Sequence, residues 1–395
     1  MRILIAHNRY QQAGGEDAVA RTEAQMLKDA GHDVYLYERS NAEIEKWSFL
    51  RRVLSLWRMG WSSVSYHEMR KVIREFRPEV AHFHNIFFIL TPSVYQACKD
   101  EGIPVVQSLH NFRMLCSNAL FFRNNNVCEE CLEKKSLRPG IRYGCYKNSR
   151  LKTALVVRMI EKHWKKGTWK KLVDVYVTAT QFSRQKYIEA GIPEEKILIK
   201  PNIDYGEGRK SNEDKGYVLY VGRLSEEKGV LNLLQACPEF IDLPVKIVGD
   251  GPMRGKWEEY ARRKKLSNVE FVGHVSGEKY DEYMRGAKFL IVPSVCYENF
   301  PRIIAEAFRY NVPVLASQIG SIPEIVENRV AGFLFKARDP YDLSQKVKGF
   351  LLNEKQIPAI KEKMRQIYEE KYLPKINCDT LIAIYREAMR HAAVR

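Results

Sequence analysis

No apolar run in this 395-residue chain approaches the roughly 18 residues that span a bilayer, so no transmembrane helix is expected. The opening Met1-Arg2-Ile3-Leu4-Ile5-Ala6-His7-Asn8 is too short for a secretory signal and reads as a first strand. A cytoplasmic location is the expectation that follows. Tandem repeats and low-complexity tracts are also missing, which argues against solenoids and disordered linkers as the main architecture. No nucleic-acid module motif stands out, so nucleic acid ranks last among partners for the net charge of +16. Acid is locally scarce as well. From Lys134 to Lys171, thirteen Lys or Arg stand against one acid, Glu161. An anionic membrane or a solvated basic face remain as readings of that segment. The eight cysteines, in a cytosolic chain, argue for thiols or metal and against a disulfide frame.

What is present has the proportions of a soluble folded protein of two or three domains, with 45% hydrophobic and 28% charged residues. Short apolar runs alternate with amphipathic ones. Ile3–Ala6 precedes Gly14-Gly15-Glu16-Asp17, which leads into a helix expected over Ala18 to Ala30, ended by Gly31. Val34–Tyr37, Val80–Phe83, Val105–Leu109, Val173–Thr178 and Ile197–Ile199 read as further strands. The polar run Gly206 to Lys215 reads as a linker. The pattern then restarts with Tyr217–Val221, Val245–Val248, Val269–Val272, Phe289–Val292 and Val312–Ala316. Such βαβ alternation predicts an α/β fold of two Rossmann-like domains, whose ligands sit beyond the carboxyl ends of the strands. The expected division is 1–205, with a cysteine-rich insertion at 111–150, then 216–375, then a terminal helix at 376–395.

The densest chemistry lies in Tyr297-Glu298-Asn299-Phe300-Pro301-Arg302-Ile303-Ile304-Ala305-Glu306. Pro301 is suited to a first helical position and Asn299 to a cap. Glu298 then stays in the loop and Glu306 falls on the second turn, with seven residues between them. Open amides at a helix start favour an anion, and flanking carboxylates accept from sugar hydroxyls. The competing reading is an ordinary amphipathic helix with solvated acids. Gly222-Arg223-Leu224-Ser225-Glu226-Glu227-Lys228-Gly229 directly follows a strand. Arg223 can grip phosphate oxygens bidentately, and Lys228 adds a point charge. Val248-Gly249-Asp250-Gly251-Pro252 follows the next strand, and its glycines would let backbone approach a ligand.

Together these pieces resemble the family 4 retaining glycosyltransferases of GT-B architecture, two Rossmann-like domains with a cleft between them. Gly222-Arg223-Leu224 with Lys228-Gly229 resembles the donor-diphosphate motif, and Gly249 with Gly251 the family's glycine loop. Phe271-Val272-Gly273-His274-Val275 is similar to the strand-loop beside the nucleotide base, which places Val275 there. Glu298 and Glu306 match the family's paired glutamates. Pro201-Asn202-Ile203-Asp204 resembles the stretch before the linker, without its glycine. Gly14-Gly15-Glu16 resembles the loop facing donor phosphate and acceptor. His110 falls at the histidine that contacts the transferred sugar, but Asn111 stands where members usually carry Asp.

The resemblance implies a nucleoside-diphosphate sugar as donor and a glycan or lipid-linked hydroxyl as acceptor. Arg223, Lys228 and the amides around Asn299, Phe300 and Pro301 would stabilise the leaving diphosphate. Glu306 would hold the ribose, Glu298 the sugar hydroxyls, and His110 would orient the sugar. Attack on the face the diphosphate leaves would retain the anomeric configuration without a protein nucleophile. No metal or other cofactor is then expected in catalysis. A sugar-phosphate synthase, a nucleotide-sugar epimerase and a non-catalytic nucleotide-binding module are the alternatives.

Two segments lie outside that scheme. Cys116, Cys128, Cys131 and Cys145 are spaced C-x11-C-x2-C-x13-C, which suits a structural zinc, with redox or free thiols as the alternative. The remaining cysteines, Cys98, Cys237, Cys296 and Cys378, read as small buried hydrophobes. Trp47, Leu50, Leu54, Trp57 and Trp61 recur at helical spacing beside Arg51, Arg52 and Arg58. With Lys162, Lys165, Lys166, Lys170 and Lys171 they suit a peripheral site at the inner face of the cell membrane. Packing of the tryptophans into the first domain, or lining of an acceptor pocket, is the other reading.

Overall fold

A computed structural model describes residues 1–10, 15–46, 60–203 and 214–394 of the chain. The fold divides into two compact units. One comprises Met1–Phe121, Cys128–Ile203 and Pro374–Arg395, the other Phe122–Val127 and Asp204–Leu373. The segment Phe122–Val127, inside the cysteine-rich insertion, therefore groups with the second unit, although sequence assigned all of 111–150 to the first. It forms a short antiparallel pair, β5 (Phe122–Arg123) with β6 (Asn126–Val127).

The first unit is built on β1 (Arg2–Arg9), β2 (Asp33–Ser40), β3 (Val80–Phe83), β4 (Val105–Ser108), β7 (Val175–Thr178) and β8 (Ile197–Ile199). They pair in parallel in the order β2-β1-β3-β4-β7-β8. β3, β4 and β7 are buried along their whole length, as strands covered on both faces must be. That is why their sequences show no alternation of apolar and polar residues, and why His82, Gln107, Ser108 and Thr178 are buried with them. Helix α1 (Gly15–Asp29) packs Ala24, Met26 and Leu27 onto this sheet. It starts three residues before the expected Ala18.

The chain's last helix, α5 (Pro374–Ala393), buries Leu381, Ile384, Tyr385 and Ala388 in the same core as Ile3, Val80 and Val175. The chain thus ends inside the first unit. This helix begins two residues earlier than the expected 376.

The second unit carries β9 (Tyr217–Val221), β10 (Val245–Val248), β11 (Val269–Gly273), β12 (Ala287–Val292), β13 (Val314–Gln318) and β14 (Phe333–Lys336). Their order is β11-β10-β9-β12-β13-β14, all parallel. Val218, Tyr220, Leu234, Ile247, Phe289 and Leu315 lie in its core. Each sheet has a point where successive connections leave in opposite directions. It falls between β1 and β3 in one unit and between β9 and β12 in the other. Open α/β sheets bind ligands beyond the strand ends at that point.

Of the expected linker, residues 206–213 lie outside the described residues, as do Gly14, Trp47, Leu50, Arg51, Arg52, Leu54, Trp57 and Arg58.

Candidate functional site

The loops that leave β9, β10 and β12 are stitched by backbone. Gly222 N–H donates to Val248 C=O at 3.0 Å and Leu224 N–H to Asp250 C=O at 2.9 Å. Gly249 N–H donates to Gly273 C=O at 2.8 Å, and Val295 N–H to Glu227 C=O at 2.9 Å. The glycines make this possible. A Cβ on Gly249, at φ +133°, would stand 1.9 Å from the Gly222 carbonyl oxygen. One on Gly251 would stand 2.4 Å from Leu224 O, and one on Gly229 1.9 Å from Pro293 O. The glycine loop was expected to admit a ligand. Its Cβ positions instead face the neighbouring loop, so these glycines let the protein's own chains approach.

That stitching carries Lys228, after β9, onto Glu298, after β12, with Nζ 2.7 Å from Oε1. Ser294 Oγ donates to the same oxygen at 2.7 Å, and Ser321 Oγ donates to Glu298 C=O at 2.7 Å. Burial alone would push the Glu298 carboxyl up. The Lys228 ammonium, with hydrogen bonds from Lys228 and Ser294, overrides burial and holds it below the usual carboxylate range. Burial likewise opposes the charge on Lys228, and Glu298 restores and raises its basicity.

Helix α3 (Arg302–Arg309) follows. Its start differs from expectation. Pro301 is the cap residue (φ −73°, ψ 92°) and makes no side-chain capping bond, so Asn299 lies before the cap and Pro301 outside the helix. Proline's fixed φ suits either position, which is why sequence could not separate them. Glu306 sits on the second turn, accepting from Tyr280 Oη and lying 3.5 Å from Arg302. Phe300 is buried, while Asn299 and Val275 are half-buried. Arg223 is exposed on the loop after β9.

In the first unit, His110 follows β4 beside the β1/β3 switch point. Its Nε2 lies 2.9 Å from His84 Nδ1, with the two rings stacked at 5.1 Å and 8°. Burial holds His110 neutral, lowering it to about 3, with the neighbouring His7, His82 and Lys200 adding to the effect and Glu23 opposing it. Asn111 Nδ2 donates to Glu16 Oε1 and, at 3.4 Å, to Tyr10 Oη. An aspartate there would set a second carboxylate against Glu16, so the departure from the family's Asp is matched by Glu16. Burial pushes the Glu16 carboxyl up to about 7, against Asn111, Arg113 and Tyr10. Gly15 opens α1 just before it, and is exposed.

Sequence reasoning missed Glu23, His82, His84 and Lys200, all buried behind His110. A signal was available: His82 lies inside Val80–Phe83, a run that reads as fully buried strand.

Cys116 is buried, and Cys128, Cys131 and Cys145 are half-buried. Burial pushes the Cys131 thiol up to about 12, aided by the nearby Cys116, Cys145 and Cys128. Backbone amides of Asn118, Phe121, Leu120 and Ala119 oppose the rise that burial imposes on Cys116. Among the described residues, Glu23, His82 and His84 are the group of three whose ligand atoms lie within 4.8 Å of one another. The thiols share one neighbourhood without being drawn to that spacing. Cys98, Cys237, Cys296 and Cys378 are all buried.

The basic segment forms helix α2 (Arg150–Lys165) and its flanks. Arg138, Arg158, Lys162, Lys165 and Lys166, with Glu161, line a cavity of about 410 Å³. Trp61, the described member of the tryptophan stripe, is 41% exposed. No described helix is long and apolar enough to cross a membrane.

Two clusters thus stand at the switch points, one setting the half-buried Lys228 against Glu298 and one built on a neutral histidine, and comparison places the chain among the glycosyltransferases. The description "Glycosyltransferase Family 4" matches residues 13–203 and "Glycosyl transferases group 1" matches residues 205–371. The chain belongs to the family 4 glycosyltransferases, with the GT-B fold. It is 25% identical over 304 residues to an uncharacterised glycosyltransferase of Methanocaldococcus jannaschii, covering 75% of this chain and 80% of that one. A sucrose-phosphate synthase of Thermosynechococcus elongatus superposes with TM-score 0.71 at 16% identity, covering 97% of this chain and 98% of that one. Anabaena HepE in complex with UDP-glucose superposes with TM-score 0.66 at 15% identity over 100% of both chains. Likeness at such identities shows the fold alone.

Proposed function

We propose that this glycosyltransferase is a retaining one, moving a sugar from a nucleoside diphosphate to a hydroxyl of a glycan or lipid-linked acceptor. The Lys228–Glu298 pair at the β9/β12 switch point carries the reading. It sets a half-buried ammonium, on the same loop as Arg223, where a diphosphate would arrive, with a carboxylate turned to sugar hydroxyls. In this scheme Arg223 and Lys228 stabilise charge developing on the leaving diphosphate. Glu306 holds the ribose and Glu298 the sugar. His110 is uncharged, so it acts on the sugar by hydrogen bonding. Positioned cations do the work a divalent metal would otherwise do, so turnover should persist in chelator.

A thermal-shift screen of nucleoside-diphosphate sugars, followed by slow donor hydrolysis, identifies base and sugar together. Arg223→Ala or Glu306→Ala should then abolish turnover in folded protein, and near-wild-type rates in either would sink the assignment. Proton NMR of the product's anomeric centre tests retention. The synthase reading, favoured by the basic first unit, predicts a free sugar phosphate as acceptor and is separated by offering one.

We further propose that Cys116, Cys128, Cys131 and Cys145 hold a structural zinc. Four soft thiols in one neighbourhood, one under several backbone amides, suit that ion. About one zinc per purified chain is expected, and metal-free folded protein with four titratable thiols would refute it. The basic face around Lys162 and Lys166 is proposed to meet anionic lipid at the inner membrane face. Flotation with anionic but not neutral vesicles tests it.

A further inference from the structure

Behind His110 lies a buried chain of polar groups with no role in the scheme above. Lys200 Nζ is 2.7 Å from Glu23 Oε1 and 2.8 Å from Asn377 Oδ1. Asn377 in turn donates from Nδ2 to Pro201 C=O at 2.8 Å. Glu23 Oε2 faces His84 Nε2 at 3.5 Å and His82 Nδ1 at 3.8 Å. His82 is engaged at both nitrogens, by Tyr385 Oη at 2.9 Å and Ser108 Oγ at 2.8 Å. All these side chains are nearly or wholly buried.

Three ligand atoms so close could be taken for a metal site. The Lys200 ammonium argues against it, because it already occupies Glu23 and supplies the positive charge. Both nitrogens of His82 are likewise spent.

The geometry instead fixes a tautomer. Glu23 Oε2 and His84 Nε2 each make no hydrogen bond of ordinary geometry and approach each other at 3.5 Å. A carboxylate paired with an ammonium can only accept, so the atom facing it is favoured as N–H. Burial and the surrounding histidines keep His84 neutral. With its one proton on Nε2, His84 must accept at Nδ1. His110 Nε2, 2.9 Å away, must then donate. A neutral His110 that donates from Nε2 has its lone pair on Nδ1.

We propose that Glu23 and His84 are positioning residues that lock His110 as the Nε2–H tautomer and so present Nδ1 as an acceptor for a hydroxyl of the transferred sugar. Lys200, Asn377 and Tyr385 anchor the chain, two of them from α5. The sugar contact rests on the function proposed above, whereas the tautomer does not.

The test is two-bond proton–nitrogen NMR of full-length protein labelled with ¹⁵N-histidine, with His110 assigned by its loss in His110→Asn. A neutral Nε2–H His110 at pH 7 is expected in the wild type. His84→Asn keeps an acceptor oxygen where His84 Nδ1 stood and should preserve that tautomer. His84→Leu removes it and should leave His110 as a mixture of tautomers. In the donor assay, His84→Leu should lower kcat about 10- to 100-fold with KM little changed, and His84→Asn should recover most of the loss. A wild-type His110 that is Nδ1–H or charged, or one whose tautomer is unchanged in His84→Leu, overturns the proposal. Confirmed tautomers with no donor turned over would refute the assigned function instead. If His84→Leu fails to fold, the wild-type and His84→Asn spectra still decide.

Discussion

Replacing Lys228 by methionine isolates the interaction on which the proposed donor site is built. The side chain keeps its length, and Glu298 keeps the bond from Ser294 Oγ at 2.7 Å while losing its counter-charge. Breaking a fully buried pair costs about 3–5 kcal/mol, and an exposed pair about 0–1 kcal/mol. Here the side chains are 30% exposed for Lys228 and 13% for Glu298. An intermediate cost of about 2 kcal/mol is expected, since solvent reaches the ammonium but barely the carboxylate. For a unit of this size that lowers the melting temperature by about 4–8 °C. Calorimetry on the full chain should show the change in the transition assigned to the second unit. Glu298→Gln and the double variant complete the cycle. The double variant should recover about 1–2 kcal/mol relative to additivity, because no uncompensated charge is left. Lys228→Met should also lose the thermal shift that the preferred donor produces. A loss below about 0.5 kcal/mol with additive singles would mean that the contact carries no energy. The switch-point pair would then be two solvated side chains that happen to meet, and its role in fixing Glu298 would fall.

Other consequences are nearer to hand. Because Glu298 is held below its ordinary value, its contribution is full above that value and lost as pH falls through the folded one; Glu298→Gln should flatten the acid limb of the stability profile. Glu16 behaves in the opposite sense: raised to about 7, its contribution is complete below the ordinary carboxyl value and lost as pH climbs through neutrality. Glu16→Gln should therefore remove a decline in melting temperature between about pH 5 and 7, and an unchanged profile would show that Glu16 does not titrate there. Asn111→Asp should move that decline to higher pH, since two carboxylates would then share the site. Gly249→Ala should cost about 1–3 kcal/mol or more from φ +133° alone, with a further penalty against Gly222 O, and wild-type unfolding would contradict the loop packing.

Local pattern made the fold readable, while long-range polar contacts stayed hidden. The strands announce themselves because both faces are covered, so Val245–Val248 and Val80–Phe83 are apolar throughout or nearly so. The loops of the proposed donor site were readable for a related reason. Arg223, Lys228 and Glu298 lie on the loops that leave strands β9 and β12, and adjacent parallel strands bring their carboxyl ends together. The His110 support could not be read that way. Its members come from α1, β3 and the residue after it, the residue after β8, and α5, positions 23, 82, 84, 200, 377 and 385, with no local spacing to link them. Only the sheet order explains the meeting. β1 and β3 are neighbours although β2 lies between them in sequence, so α1 crosses near the histidines of β3. The return of α5 to the same sheet then delivers Asn377 and Tyr385. The glycines show the converse limit. Sequence finds Gly249 and Gly251 and predicts close approach, but what approaches is decided by register. The β9/β10 pairing aligns Val221 with Val248 and carries Gly222 against Gly249, so it is protein backbone that takes the space. In the proposed donor site those glycines therefore act through the cations that their packing places, not by direct contact.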